Sequence, residues 1–420
     1  MSASDAVLTA PLRALGTTAE AEEFSSAVIW AHEGTVTVGL GGWTVLVSGT
    51  DRVHRLSALW RAAVEASGIP DDAPREAARA WISSTFSDDS EQPSVLRVPA
   101  AWVTVTDGAG PVHHTQHVTD AGLAVAVASD PHVSLRAATV PVPDAPEADA
   151  SGARGWSDAQ YAAAIETLLE RFSAEPLHKV VLSRTEDVPV TEAALWRAVA
   201  RLHERYPQTW VFAVGGLLGA TPEMLATRRG GRIESLVLAG SVERGADAAA
   251  DAEARARLLE DASLAEEHHW AAQSVLDALA EVIDVEEQAE PFVLSLPNVH
   301  HLATTVRGPL RDASGTVLDV VARMHPTAAV GGTPSGEALA IIEDVEPVDR
   351  GRYAGPVGWL DHTGDGEIAL ALRCGQVMAG RDGLTLRLHA GGGIVPGSHP
   401  AAEVAEIAAK FAPMRRALGL

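Results

Sequence analysis

Two Asp-Gly dipeptides near the end of the chain, Asp365-Gly366 and Asp382-Gly383, separate three β-rich runs at about residues 357–361, 367–377 and 385–389. Asp-Gly between such runs favours tight hairpin turns, since Gly tolerates the left-handed backbone that the turn demands. Hairpins of this kind build antiparallel sheet. Other segments agree: Thr35–Gly39 and Trp43–Val47 alternate with period two, and Trp210–Val214 and Leu217–Ala220 flank Gly215-Gly216. Helical patterns intervene at about Arg55–Ala66, from Ser263 with Glu266 three residues on, and at about Ala401–Phe411. Ser157 and Gln160 have capping-box spacing ahead of the apolar face Tyr161, Ile165, Leu168, Leu169 and Phe172. The expectation is a large α+β layered fold, with antiparallel β-sheets sandwiched and flanked by helices.

At 420 residues the chain holds two or three domains' worth of sequence, or one composite fold. The polar, Pro-rich stretch Pro141–Gly152 has no periodicity and marks a linker or surface loop. The expected division is therefore 1–140, a connection at 141–154, and a C-terminal region over 155–420 that carries the chemistry. A net charge of −24 opposes nucleic acid and anionic membrane surfaces. Cys374 is the only cysteine, which excludes an internal disulfide and a cysteine metal cage. Met1–Gly16 has no basic residue ahead of its apolar stretch, and the apolar span Val28–Val47 is broken by His32, Glu33 and several glycines. These features lead to the expectation of a soluble, cytoplasmic protein.

Of the 32 basic residues only Lys179 and Lys410 are lysines. A desolvated Lys can lose its proton and act as a base, whereas Arg stays charged. Lys410 stands at i+7 from Glu403 and i+4 from Glu406, so all three share one helix face beside the apolar Val404, Ile407, Ala408 and Phe411. A solvated acidic stripe would have the same spacing. Further carboxylates, Glu266-Glu267, stand beside His268-His269 at the start of another helix, and oxygen ligands without cysteine suit Mg²⁺ better than zinc. The set His113-His114-x-x-His117 has no accompanying carboxylate motif and is set aside as a zinc site. Gly391-Gly392-Gly393 lets backbone N–H groups approach an anion without forming a nucleotide fingerprint, and Arg373 on a preceding strand could hold a carboxylate. Glu223, in Thr221-Pro222-Glu223 at a strand end, would act as an acid if buried.

In this order the segments His178-Lys-Val-Val-Leu-Ser-Arg184, Ala220-Thr-Pro-Glu223, Leu238-Ala-Gly-Ser241, Glu267-His268 and His301-Leu-Ala-Thr304 carry a family pattern. So do His325-Pro-Thr-Ala-Ala-Val-Gly-Gly-Thr-Pro334, Asp349-Arg-Gly-Arg-Tyr-Ala-Gly355, Leu372-Arg-Cys374, Gly391–Val395 and Glu403-x-x-Glu406-x-x-x-Lys410. Together they resemble the chorismate-utilising enzymes, most closely the isochorismate synthases, over roughly residues 155–412. The resemblance implies a Mg²⁺-dependent, reversible conversion of chorismate to isochorismate, with water adding at ring carbon 2 and hydroxyl leaving carbon 4. It implies Lys179 as base and Glu223 as acid, with Glu267, Glu406 and, through water, Glu403 holding the metal. Arg373, Tyr353 and the backbone of Gly391, Gly392 and Gly393 match positions that bind the enolpyruvyl carboxylate, and Lys410 matches one beside metal and substrate. Gly240, Ser241, His301 and Ala329 match pocket positions.

Within the family, ammonia-using anthranilate synthases carry Gln where this chain has Lys179, and aminodeoxychorismate synthases have Lys where Ala239 stands. Salicylate synthases, which also eliminate pyruvate, place Thr near Ala329 or Val330. The resemblance thus implies an isochorismate synthase feeding menaquinone or siderophore synthesis, a monomer or weak homodimer with no amidotransferase subunit. The alternatives are a salicylate synthase and a non-catalytic chorismate-binding homologue. One departure is Asp261-Ala-Ser-Leu ahead of Glu267, where the family has Ser-Glu-Lys-Asp.

Overall fold

Period-two apolar patterning is satisfied by sheets whose inner faces meet, and the computed structural model has this arrangement. It describes residues 3–128, 130–137, 140–144, 155–286, 290–295, 299–380 and 383–420; the side chains of 3–7, 241, 263, 267, 270 and 299 lie outside the description. Among the described residues, strands form two ten-stranded sheets. The first runs, in spatial order, Gly332–Thr333, Lys179–Val190, Gly383–Ile394, Cys374–Gly380, Leu217–Thr221, Trp210–Val214, Val28–His32, Thr35–Leu40, Ala101–Thr106 and Val112–Thr115. The second runs Phe292–Ser295, Val299–Pro309, Arg232–Glu243, Met224–Arg229, Gly366–Leu370, Pro356–Asp361, Arg79–Ser83, Ser94–Val98, Trp43–Val47 and Val133–Ala137.

Val28–His32 pairs antiparallel with Trp210–Val214, and Arg79–Ser83 with Pro356–Asp361. Strands from before and after residues 141–154 therefore lie side by side in both sheets and share one apolar core. The connection expected at 141–154 lies outside the described residues beyond 144. Trp81 of the second sheet meets Trp102 of the first edge-on, with ring centroids 5.9 Å apart. Arg352 spans the layers, donating to Ser83 Oγ at 2.6 Å and to the Gly215 carbonyl at 2.7 Å.

The helices cover the outer faces. Ser157 and Gln160 form the expected capping box at the start of Asp158–Ala174, whose Tyr161, Ile165 and Leu168 are buried. This helix packs on Pro400–Leu418, which lies against strand Gly383–Ile394. That final helix is longer than the expected 401–411, with Gly419 in left-handed conformation (φ 88°) just past its end.

Two expectations need correction. The run at 367–377 is not one strand: Gly366–Leu370 belongs to the second sheet and Cys374–Gly380 to the first. Leu372 donates to the Leu370 carbonyl at 2.8 Å and Arg373 is left-handed (φ 46°), which carries the chain between layers. The hairpin at Asp365-Gly366 exists, but its left-handed residue is Gly364 (φ 83°). Asp365 is instead buried, accepting from Gly230 N and Arg228 Nη1, both at 2.5 Å. At the second dipeptide, Asp382 lies outside the described residues.

Candidate active site

The glycine run decides how the groups are arranged. Strand Lys179–Val190 pairs with Gly383–Ile394 so that Val181 opposes Gly393, Leu182 opposes Gly392 and Ser183 opposes Gly391. Alternation puts Gly391 and Gly393 on one face and Gly392 on the other. On the first face, Lys179 Cε is 2.8 Å from where a Cβ on residue 393 would stand, and the Tyr353 hydroxyl is 2.6 Å from that of residue 391. On the second, Tyr161 Oη, Ile407 Cδ1 and Glu403 Oε2 stand 3.4, 3.5 and 3.6 Å from that of residue 392. The space a Cβ would take at each glycine is thus occupied or bordered by a neighbouring side chain.

Glu223 follows strand Leu217–Thr221, fixed by its N–H to Thr221 Oγ1 (3.2 Å) and by its carbonyl, which accepts from Leu370 N (3.0 Å). Burial raises its carboxyl pKa above the ordinary value, and the positive charges of Lys179, Lys410 and Arg373, in that order, pull only part of the way back. The carboxyl therefore stands within the field of three basic side chains, with its pKa raised on balance by burial. Arg373 is half-buried, and desolvation lowers its pKa against the opposing pull of Tyr206 and Glu223. Burial, with the Arg373 charge, lowers the pKa of His301. Tyr353 is buried and stacked on His389 with ring centroids 5.0 Å apart; burial raises its pKa and keeps it a phenol.

Gly240 sits at a register shift between Ala239 and Ser241, left-handed at φ 70°, and a Cβ there would stand 2.9 Å from the Leu264 carbonyl. The bulge lets helix Ala262–Ala280 approach. His268 fastens that helix, its Nδ1 paired with the Ala239 carbonyl at 3.2 Å and its Nε2 with Thr304 Oγ1 at 2.7 Å. Its neighbour Glu267 therefore belongs to a helix anchored on the strand that carries Gly240, although the side chains of Glu267 and Ser241 lie outside the described residues. Ala329 is an exposed turn residue beside the buried Val330.

On the final helix Lys410 Nζ contacts Glu406 Oε1 at 2.6 Å and the Gly391 carbonyl at 2.8 Å. Ser398 Oγ donates to Glu403 Oε1 at 2.7 Å, while the buried Glu403 Oε2 has no partner among the described residues. A buried carboxylate oxygen without a partner is costly. Of the helix's apolar set, Ile407 and Phe411 are buried, Val404 is half-buried and Ala408 is exposed.

Composition gives no hint of the pair Glu346 and Arg350 beside the Lys179 strand. Both side chains are buried and joined at 2.6 Å. Their i,i+4 spacing is the only trace in the sequence, and a solvated pair would leave the same one. A cavity of about 710 Å³ opens beyond them, lined by Phe86, His325 and Asp349 among others, and none of the expected site residues borders it. Among the described residues no three His, Cys, Asp or Glu side chains gather closely enough to hold a metal. No helix in the described residues is long and apolar enough to cross a membrane.

Compared with known proteins, residues 5–419 match the family described as chorismate binding enzyme. The isochorismate synthase DhbC of Bacillus subtilis is 37% identical over 276 residues, covering 62% of this chain and 68% of that protein. The isochorismate synthase MenF of the same organism is 36% identical over 265 residues, covering 61% of this chain and 55% of that protein. A crystal structure titled as a putative 2,3-dihydroxybenzoate-specific isochorismate synthase, DhbC from Bacillus anthracis, superposes with a TM-score of 0.69 at 27% identity. It covers 96% of this chain and 98% of its own, so the likeness in fold extends through the first third.

Proposed function

Since the chain belongs to the chorismate-binding enzyme family, we propose that it is an isochorismate synthase, converting chorismate reversibly to isochorismate. The observation that supports this reading is the setting of Glu223, whose carboxyl pKa burial raises while the charge of Lys179 pulls it part of the way back, together with the Lys179 side chain laid over Gly393. Lys179 takes a proton from the water that adds at ring carbon 2. The ring double bonds shift, and Glu223 gives its proton to the hydroxyl leaving carbon 4, which departs as water. Addition and loss of one water balance, so the product is an isomer. Arg373, with Tyr353 and the backbone of Gly391–Gly393, would hold the substrate's side-chain carboxylate, and Gly240, Ser241, His301 and Ala329 would border the ring.

The metal in this reading is Mg²⁺, and the donors fit it: Glu403 and Glu406 offer carboxylate oxygens, one of them buried without a partner, and one is held by an ammonium group. Glu267, Glu406 and Glu403 would hold the ion, the last through water. Bound there, a divalent cation supplies charge neutralisation for a substrate carboxylate. Lys179 in place of Gln and Ala239 in place of Lys support water over ammonia as the nucleophile and tell against an aminodeoxychorismate product.

The test is product analysis with purified protein, chorismate and Mg²⁺. Isochorismate formed without pyruvate supports the reading. Release of pyruvate with a fluorescent aromatic product would make the chain a salicylate synthase, and chorismate bound without turnover would make it a binding homologue. Lys179→Ala should abolish turnover and retain chorismate binding.

A further inference from the structure

Lys179 opens a strand with an incomplete neighbour. On one side the ladder to Gly383–Ile394 is continuous, but on the other the partner strand is only Gly332–Thr333. Edge N–H and C=O groups beyond such a short partner must be satisfied elsewhere when buried. Here side chains do it. Ser183 N donates to Glu346 Oε1 at 2.7 Å and Ser183 Oγ to Oε2 at 2.9 Å. Arg350 Nη2 donates to the Val181 carbonyl at 2.7 Å, and its Nη1 to the Val330 carbonyl at 2.8 Å. The two side chains close on each other through Nη2–Oε1 (2.6 Å) and Nε–Oε2 (2.9 Å), leaving both carboxylate oxygens doubly bonded.

We propose that the Glu346–Arg350 pair is a positioning device for Lys179: it stands in for the missing stretch of edge strand and fixes the backbone two and four residues along from the amine. This rests on the assignment of Lys179 as the base. The pair also binds the carbonyl of Val330, next to Ala329, so one guanidinium sets the distance between the base strand and a turn at the pocket border. Removing either partner alone strands a buried charge. The informative variant therefore replaces both, Glu346→Gln with Arg350→Met, leaving a neutral acceptor for Ser183 N and no donor for Val181 or Val330.

Because the chain has two lysines, lysine labelled with ¹³C at Cε during expression gives two side-chain signals, assigned by Lys179→Arg and Lys410→Arg. In the double variant the Lys179 signal and its pH titration should move while those of Lys410 stay. The kcat should fall by about tenfold or more, with KM within about threefold of the parent value, a pattern of lost transition-state geometry. If the double variant does not fold, Arg350→Lys keeps the charge without the two-carbonyl fork and is read the same way. In a folded variant, either an unmoved Lys179 signal or a parental kcat overturns the proposal. A Lys179 signal that moves in a protein whose parent does not turn over chorismate upholds the positioning and refutes the base assignment instead.

Discussion

The side chain of Lys179 lies across Gly393, with Cε 2.8 Å and Nζ 3.6 Å from the place a Cβ would take. Only the far end of a flexible side chain obstructs that place, so Gly393→Ala should fold normally and push the amine aside. We expect kcat to fall by about tenfold, equivalent to ~1.4 kcal/mol in the barrier, with Tm changed by less than about 3 °C. Gly332→Ala is the contrast, since the obstruction there is the Lys179 backbone carbonyl at 2.2 Å and φ is 151°. It should destabilise the fold by several degrees at least. Thermal melts and steady-state kinetics on the two variants check both statements.

Glu223→Gln should remove turnover, by about 10²–10⁴-fold if the carboxyl is a general acid. It should also change the pH dependence of stability. The carboxyl pKa is raised in the fold above its ordinary 4.5, so its contribution to stability is full below that pH and is lost as pH rises through the raised value. Gln never ionises. The variant should therefore melt progressively higher than the parent as pH increases from about 4.5, and a variant less stable at pH 8 would contradict the direction of the shift.

Glu403→Gln and Glu406→Gln should each weaken Mg²⁺ binding, by about tenfold or ~1.4 kcal/mol. Calorimetry without chorismate reads this apart from turnover. Unchanged metal affinity in either variant would remove that residue from the ligand set.

His268→Leu should cost about 1–3 kcal/mol in unfolding free energy, because the ring's bonds to the Ala239 carbonyl and Thr304 Oγ1 are lost in a buried place. With the helix loosened beside residue 267, Mg²⁺ affinity should fall in the same variant. Chemical denaturation and calorimetry on one preparation would reveal whether stability drops without a change in metal affinity, which would separate the helix from the site.

Local chemistry was legible where one residue type forces one geometry. The capping box at Ser157 and the strands around Gly215-Gly216 are such cases, and so is the pairing of Glu406 with Lys410 on one helix face. The break at Ala371–Arg373 was not legible, because the apolar run continues through it and only the separation of two sheets demands the turn. The sequence pattern reads Asp365 as the tip of a hairpin, whereas it is a buried anchor for the neighbouring turn; short-range propensity is the same in both roles. The role of Glu346 and Arg350 is hidden for a further reason, although Arg350 stands in the family segment 349–355: their partners on the Lys179 strand are backbone groups 163 and 169 residues away, and no side-chain pattern records a missing strand.

The three consecutive glycines let strand Gly383–Ile394 be approached closely from both faces, by the amine of residue 179 at Gly393 and by the carboxylate of residue 403 at Gly392. Their odd–even order fixes which glycine each side chain lies against. Deleting one residue ahead of Gly391 would bring Ile394 into the place that the Lys179 side chain lies across, and inserting one would bring a side chain against the Tyr353 hydroxyl, even though every other side chain stayed in the chain.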